Sequence, residues 1–203
     1  MAEAARLILA SGSSARRTML DAAGLSFKII PADIDEAAIR AAMTSDNACV
    51  EASDIAAVLA AEKAVSVARA HPDALVIGSD QVLALGSRFF SKAETVAEAR
   101  DTLDRLRGRT HELVSAVALA QGDDVLWHAL DTARLSMRRF SDEFLGAYVN
   151  RAGDVLLRSA GGYELEGLGV QLFDRIEGDY FTILGMPLLP LLAELRQRGM
   201  VTA

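Results

Sequence analysis

With 203 residues, 51% of them hydrophobic and 24% charged, the chain is long enough for a real core and has a globular profile. A net charge of −7 and a pI near 5.0 argue against gripping a nucleic acid polymer through a basic surface, while a local Arg/Lys cluster could still hold a small anion. The single cysteine, Cys49, excludes an internal disulfide and a multi-cysteine zinc site, and no apolar run is long enough to span a membrane. Met1–Arg6 is too short and too acidic for a signal peptide, so the expectation is a cytoplasmic protein that makes no membrane contact.

In chain order, Leu7–Ala10 reads as a short buried strand, Ser11–Ser14 as a turn of small hydroxyl residues, and Arg16–Ala23 as a helix stopped by Gly24. Such a junction concentrates anion-binding groups: backbone N–H groups, Ser hydroxyls, a helix N-terminus and guanidinium forks. Phe27–Ile30 is a second strand, Ala37–Met43 a short helix and Thr44–Val50 a polar loop. Ser53-Asp54 is placed to cap a helix to about Ala70, with Ile55, Val58, Ala61, Val65 and Ala68 on its apolar face and Lys63 one step off it. Ala74–Gly78 is a buried strand that ends or kinks at Ser79-Asp80-Gln81, with Val82–Leu85 continuing it and Phe89-Phe90 returning after a turn.

Thr95 and Glu98 have capping-box spacing ahead of a helix that Gly108 ends. Thr110–Gln121 and Val125–Met137 are β-rich runs around Gly122-Asp123-Asp124, the pattern of a long antiparallel hairpin. Ser141 caps a helix to Asn150, and Gly153–Gly169 is glycine-rich and loop-like. Val170–Ile176 is the last strand, and a helix starting at Pro187 closes near Gly199. The alternation predicts an α/β fold with a mixed β-sheet flanked by helices.

Several standard sites are missing. No G-x-x-x-x-G-K-[ST] is present, and Gly167-Leu168-Gly169 is better explained by close packing than by a dinucleotide fold. His71, His111 and His128 lack metal spacing and read as surface or strand residues, Trp127 as a packing residue, and Cys49 as a loop residue without a histidine nearby. What remains is the Ser/Arg turn, the carboxylates Asp35, Glu36 and Asp80, and the lysines Lys63 and Lys92. Asp80 is the most unusual, because an aspartate directly after an apolar strand needs a partner or a task. Carboxylates at strand ends opposite cationic side chains suit a divalent metal and a triphosphate.

The pieces Leu9–Arg17, Asp35-Glu36, Ala61–Ala64, Gly78–Val82, Ser91-Lys92, Ala160–Tyr163 with Glu166-Gly167, and Gly185–Leu188 together resemble the Maf proteins. These are nucleoside triphosphate pyrophosphatases with an α/β fold related to the inosine triphosphatase group. The resemblance implies a single domain over residues 1–203, with two lobes around a central cleft. It also implies hydrolysis of a nucleoside triphosphate to monophosphate and diphosphate, with a divalent cation (Mg, Mn or Co) and commonly a homodimer. It places Asp80 at the proton acceptor, Glu36 at the second acidic position, and Ser11, Ser13, Arg16, Lys63 and Lys92 among the phosphate-binding residues.

Asp80 and Glu36 are the two metal-ligand candidates, and which of them takes the metal and which the proton is open at this point. Ser14 and Ala93 stand where the family usually has proline, which bears on loop stiffness more than on chemistry. Three positions track substrate choice among such proteins, and here they are Ala15, Gln81 and Glu166. Gln81 and Glu166 point towards the branch acting on 7-methyl-GTP and away from the dTTP/UTP branch, while Ala15 removes an aromatic platform for the cationic base.

Two other readings compete. A nucleotidyltransferase opens on a similar strand and turn, but it needs a lysine soon afterwards, and Thr18–Ser26 has none. A non-catalytic nucleotide-binding regulator of cell division would have no use for a base such as Asp80.

Overall fold

The computed structural model describes residues 6–44 and 50–201, so Cys49, most of the Thr44–Val50 loop and the first five residues lie outside the described residues. The chain forms two compact units, with three of the four boundaries inside strands and the fourth in the turn between the last strand and the helix after it. The first comprises residues 1–81, 114–131 and 179–203, and the second residues 82–113 and 132–178. The sheet is mixed, with seven strands in the order β2-β1-β3-β5-β6-β7 and β4 paired to β3. Among the described residues no helix is long and apolar enough to cross a membrane.

In the first unit β1 (Arg6–Leu9) runs parallel to β2 (Lys28–Ile29) on one side and to β3 (Ala74–Leu85) on the other, with Leu7 opposite Leu75 and Leu9 opposite Ile77. Strand alternation then sorts the side chains. Leu7, Leu9, Leu75 and Ile77 pack with Met19 and Leu20 of α1 (Ser14–Ala22) and with Leu188, Leu191 and Leu195 of α7 (Leu188–Gln197). Each such buried leucine contributes about 1.5–3 kcal/mol. Trp127 packs against the same cluster, as its packing reading expects.

The next residue along β3 on the opposite face, Gly78, meets α3 (Ala52–Ala70). The expected apolar stripe holds at Ile55, Val65 and Ala68, which are buried, and is corrected at Val58 and the half-buried Ala61. Val58 is 37% exposed, and the buried ridge is Ala52, Ala56, Ala60, Ala64 and Ala68, with Leu59 and Lys63 beside it. Small side chains at i, i+4 spacing let the helix axis come close to the sheet, and the glycine opposite them removes the last obstacle. The cap of α3 also differs from the expected Ser53-Asp54: Glu51 is the cap residue, and Asp54 accepts from its N–H at 3.0 Å as the far half of a capping box.

β3 itself is continuous over twelve residues. Asp80 is therefore an interior strand residue: of the expected end or kink at Ser79–Gln81 the end is not seen, and Val82–Leu85 continues the strand as expected. The other elements fall near their expected bounds. α2 is Glu36–Thr44, β4 Arg88–Phe90 and α4 Val96–Leu106 with Thr95 as cap. β5 is Thr110–Gln121, β6 Asp124–Met137 and α5 Asp142–Ala152 with Ser141 as cap. β5 and β6 are sheet neighbours joined by Gly122 and Asp123. The last strand, β7 (Phe173–Glu177), starts later than expected because Leu168–Leu172 forms a 3-10 turn. A further short helix, α6 (Tyr180–Ile183), is capped by Asp179, whose carboxylate accepts from the N–H groups of Phe181 and Thr182.

In the second unit β6 pairs antiparallel with β7, and β4 antiparallel with the end of β3. Gly169 packs as expected, since a Cβ there would lie 2.5 Å from the Glu164 carbonyl oxygen. His111 on β5 is a strand residue but fully buried, its Nε2 2.6 Å from the Tyr163 hydroxyl, and its Nδ1 has no hydrogen-bond partner among the described residues. Burial pushes the imidazole down from 6.5 to about 4.

Two outcomes follow from this packing. Gly78→Ala drives a methyl group into the Ala60 carbonyl oxygen and to 2.6 Å from the Ala64 nitrogen, so urea unfolding should show a loss of about 3 kcal/mol. A loss under about 0.5 kcal/mol would mean that α3 is not seated as described. For His111 the folded pKa lies below the unfolded one, so the unfolded chain takes up the proton first as pH falls. Stability should therefore decline between about pH 6.5 and pH 4, by on the order of 3 kcal/mol in total. His111→Gln keeps a partner for Tyr163 and does not titrate, so its urea midpoint should be less sensitive across that window; equal sensitivity would exonerate His111.

Candidate active site

The described site is built on the first unit around Asp80. Gly78 and Asp80 lie on the α3 face of β3, while Ser79 and Gln81 lie on the other. Asp80 is buried, and both of its oxygens are engaged. Lys63 Nζ of α3 donates to Oδ1 at 2.7 Å, and an Arg40 N–H of α2 donates to Oδ2 at 3.0 Å. Lys63 also donates towards Glu36 Oε1 at 2.8 Å, so a single ammonium ties the two acidic residues together. Asp35, the neighbouring carboxylate, only caps the start of α2 by accepting from the Ala38 N–H at 2.9 Å.

Arg16, in the first turns of α1, is 9% exposed. Its Nε donates to the Gly185 carbonyl at 2.9 Å and its NH1 to Ser11 Oγ at 3.1 Å. The Gly185 carbonyl also accepts from Ser79 Oγ at 3.0 Å. Arg16 has no carboxylate within ion-pair distance among the described residues. Burial pulls its pKa down from the ordinary value, and the more distant charges of Asp80 and Glu36 offset part of that. It is thus a buried cation held in place by neutral acceptors, a group that a phosphate oxygen would complete.

Ser11 Oγ accepts from the Ser13 N–H as well as from Arg16, and Ser13 Oγ caps α1 by accepting from the Arg16 N–H. Ala15 lies in the first turn of α1, half-buried, and Ser14 stands at the first helical position, where a proline would also be tolerated. Gln81 projects away from Asp80. Its amide nitrogen lies 3.0 Å from Ser115 Oγ and from the carbonyl oxygens of Thr182 and Ile183, which ties β3 to β5 and α6. Lys92, just beyond β4, and Glu166, in the glycine-rich segment, are exposed residues of the second unit.

Of the residues expected from sequence, the first unit therefore brings together Ser11, Arg16, Glu36, Lys63 and Asp80. Arg40 was not among them. The only sequence signal for it is its i, i+4 spacing from Glu36, which puts both on one face of α2. Lys63 and Arg40 are matched by Glu36 and Asp80, and Arg16, bonded to neutral acceptors, adds a cation that is left for an anionic ligand.

A family model described as Maf-like protein matches residues 6–198. The chain belongs to the Maf-like protein family. Two relatives of this Maf-like chain span nearly the same length. A nucleoside triphosphate pyrophosphatase from Granulibacter bethesdensis is 51% identical over 97% of this chain and 99% of that one. A 7-methyl-GTP pyrophosphatase from Rhizobium meliloti is 47% identical over 97% of this chain and 98% of that one. Among solved structures, a HAM1 protein from Coxiella burnetii overlaps 67% of this chain and 74% of its own at 18% identity, with a TM-score of 0.42.

The donor set can be tested against a divalent metal. Among the described residues no group of three or more His, Cys, Asp or Glu is gathered for one ion. The protein's share of the ligands would be Asp80 and Glu36, and this pair fits. Oxygens of both converge on one cationic atom, Lys63 Nζ, and Mg²⁺ characteristically takes one or two carboxylates plus phosphate oxygens and water.

Arg16 generates the prediction here. A buried guanidinium without a counter-ion is costly to the fold, so Arg16→Met should leave the thermal midpoint unchanged or raised while nucleotide turnover falls by about 100-fold or more. A fall in the midpoint of more than about 5 °C, by scanning calorimetry, would show instead that Arg16 is chiefly structural.

Proposed function

We propose that this Maf-like chain is a nucleoside triphosphate pyrophosphatase that hydrolyses the α–β phosphoanhydride to a monophosphate and diphosphate. The observation that carries the reading is the buried, carboxylate-free Arg16 beside a buried aspartate whose own partners are cations. The names of the full-length relatives support it.

In this reading a water oxygen forms a bond to the α-phosphorus as the bond from that phosphorus to the bridging oxygen breaks. The water's proton passes to the Asp80 carboxylate and then to solvent. Charge that builds on the departing diphosphate is met by Arg16 and Lys63, with the Ser11 and Ser13 hydroxyls and backbone N–H groups at the start of α1 binding phosphate oxygens. The family resemblance assigns phosphate binding to Lys92 as well. Asp80 and Glu36 would hold the divalent metal, which when bound supplies Lewis-acid polarisation of the phosphates and a lowered pKa for water. Lys63, tied to both acids, fixes their separation.

Base choice is the finer part of the proposal. Glu166 offers a carboxylate that complements the cationic edge of a 7-methylguanine base or the N1 and N2 donors of guanine, and Ala15 leaves room where a larger side chain would stack. Gln81 acts through the carbonyls of Thr182 and Ile183 that its amide holds.

Turnover of 7-methyl-GTP, GTP, UTP and dTTP with Mg²⁺, Mn²⁺ and Co²⁺ tests both levels. The expected order of kcat/KM places 7-methyl-GTP and GTP at least about tenfold above UTP and dTTP. Asp80→Asn should lower kcat by about 10²–10⁴-fold at saturating metal. A preference for UTP or dTTP overturns the base reading, and an Asp80→Asn variant with undiminished turnover removes Asp80 from the mechanism.

A further inference from the structure

Arg40 has a place in this site that its role as a partner of Asp80 does not exhaust. Lys63 donates to one oxygen of the Asp80 carboxylate and Arg40 to the other, so a phosphate group arriving at Asp80 meets both cations. The two cations are not equally free. Lys63 is 10% exposed at the side chain and projects from α3, a nineteen-residue helix with ten buried positions. Arg40 is 23% exposed at the side chain and projects from α2, which has no fully buried residue at all.

Helix α2 lays Glu36, Ile39, Arg40 and Met43 inward, each only half-buried. Among the described residues, its polar side-chain ties to other elements are the two ion pairs, Glu36 with Lys63 and Arg40 with Asp80. The helix is thus held at the site largely by charges that a polyanion would compete for. Arg40 uses one N–H group on Asp80, and its remaining donors have no protein partner among the described residues. A guanidinium with spare donors, released next to an incoming phosphate chain, exchanges one oxyanion for another with little change in geometry.

We infer that Arg40 is a further substrate-binding residue, which leaves Asp80 Oδ2 for a phosphate oxygen of the bound nucleotide. The inference rests on the proposed pyrophosphatase reading for its substrate, and it adds a ligand-gripping residue from α2.

The test compares wild type with Arg40→Ala and Arg40→Lys. Steady-state turnover of the best nucleotide is measured together with inhibition by inorganic pyrophosphate, and direct pyrophosphate binding by titration calorimetry. Arg40→Ala should raise KM and the pyrophosphate inhibition constant together, by about tenfold or more, with kcat changed by less than about threefold. Arg40→Lys, which keeps the charge and loses the fork, should fall between the two. A fall in kcat with KM and pyrophosphate affinity unchanged overturns the inference, because loss of Asp80 positioning alone gives that pattern. Unchanged values throughout overturn it as well. If wild type turns over no nucleotide, the pyrophosphatase reading fails by itself. Calorimetry then still decides on Arg40: weaker pyrophosphate binding in Arg40→Ala supports a phosphate-gripping arginine, and equal binding refutes it. Circular dichroism identifies a misfolded Ala variant, in which case the Lys variant carries the comparison by the same criteria.

Discussion

One carboxylate sets the terms for the described site. Asp80 lies inside β3, a strand rich in leucine, isoleucine and valine, and its burial is matched by Lys63 and Arg40, which each give a hydrogen bond to a different oxygen. Removing either partner would leave the buried carboxylate on a single cation, and removing both would leave it uncompensated, typically a cost of about 3–5 kcal/mol. The ion pairs therefore do more than decorate a surface. They require α3 to bring Lys63 down to the sheet and α2 to bring Arg40 across it, and the alanine ridge facing Gly78 is what allows the first of these. A larger residue on that ridge would lift Lys63 away from Asp80 as surely as it would disturb packing.

The alternation along β3 divides the labour. Residues 78 and 80 face α3, where a small residue admits the helix and the next inward residue meets its lysine. Residues 79 and 81 face the other way and lie against backbone carbonyls: Ser79 Oγ is within hydrogen-bond distance of those of Ala116 and Gly185, with one proton between them, and Gln81 lies against those of Thr182 and Ile183. The Gly185 carbonyl so placed is the acceptor for Arg16. One strand thus positions the acid on one face and, through Ser79 on the other, contacts the carbonyl that anchors the buried guanidinium. Interrupting β3 at Ser79 would separate these functions, which gives a physical reason for a twelve-residue strand through a polar triplet.

That continuity is only half legible in the sequence, which suggests an end or a kink at the triplet before Val82–Leu85 continues the strand, and the reason is local. Ser, Asp and Gln after a glycine look like a strand ending, since each is unfavourable inside a sheet unless its side chain finds a partner at long range. Their partners are 17, 37 and 101 residues away in sequence (Lys63, Ala116 and Thr182), beyond the reach of any pattern. The helix face of α3 was legible at Ile55, Val65 and Ala68 and not at Val58, because it is Ala60 and Ala64 that meet Gly78. Elements with local signals were readable: Ser141 and Thr95 cap the helices they precede, and Gly24 and Gly108 take the left-handed conformation that ends one. For the site, Ser11, Arg16, Glu36, Lys63 and Asp80 were legible through the family's motif and through the oddity of an aspartate beside a hydrophobic strand. Arg40 was not, because on an exposed helix an arginine carries no mark of its partner.

The charge arrangement finally bears on what kind of anion such a protein can hold. The chain as a whole carries −7, so at a distance it repels polyanions, and a nucleic acid polymer approaching any broad surface meets that repulsion along its length. Screening confines this field to about 8 Å at physiological ionic strength. Inside that range the local arrangement governs: Lys63 and Arg40 are matched by Glu36 and Asp80, while Arg16 is buried with no carboxylate at ion-pair distance among the described residues. A compact ligand with several charges on adjacent atoms meets a buried cation more readily than a polymer does, whose phosphates are spaced along its length. Global acidity combined with a buried cation therefore fits the proposed small polyphosphate better than a nucleic acid polymer.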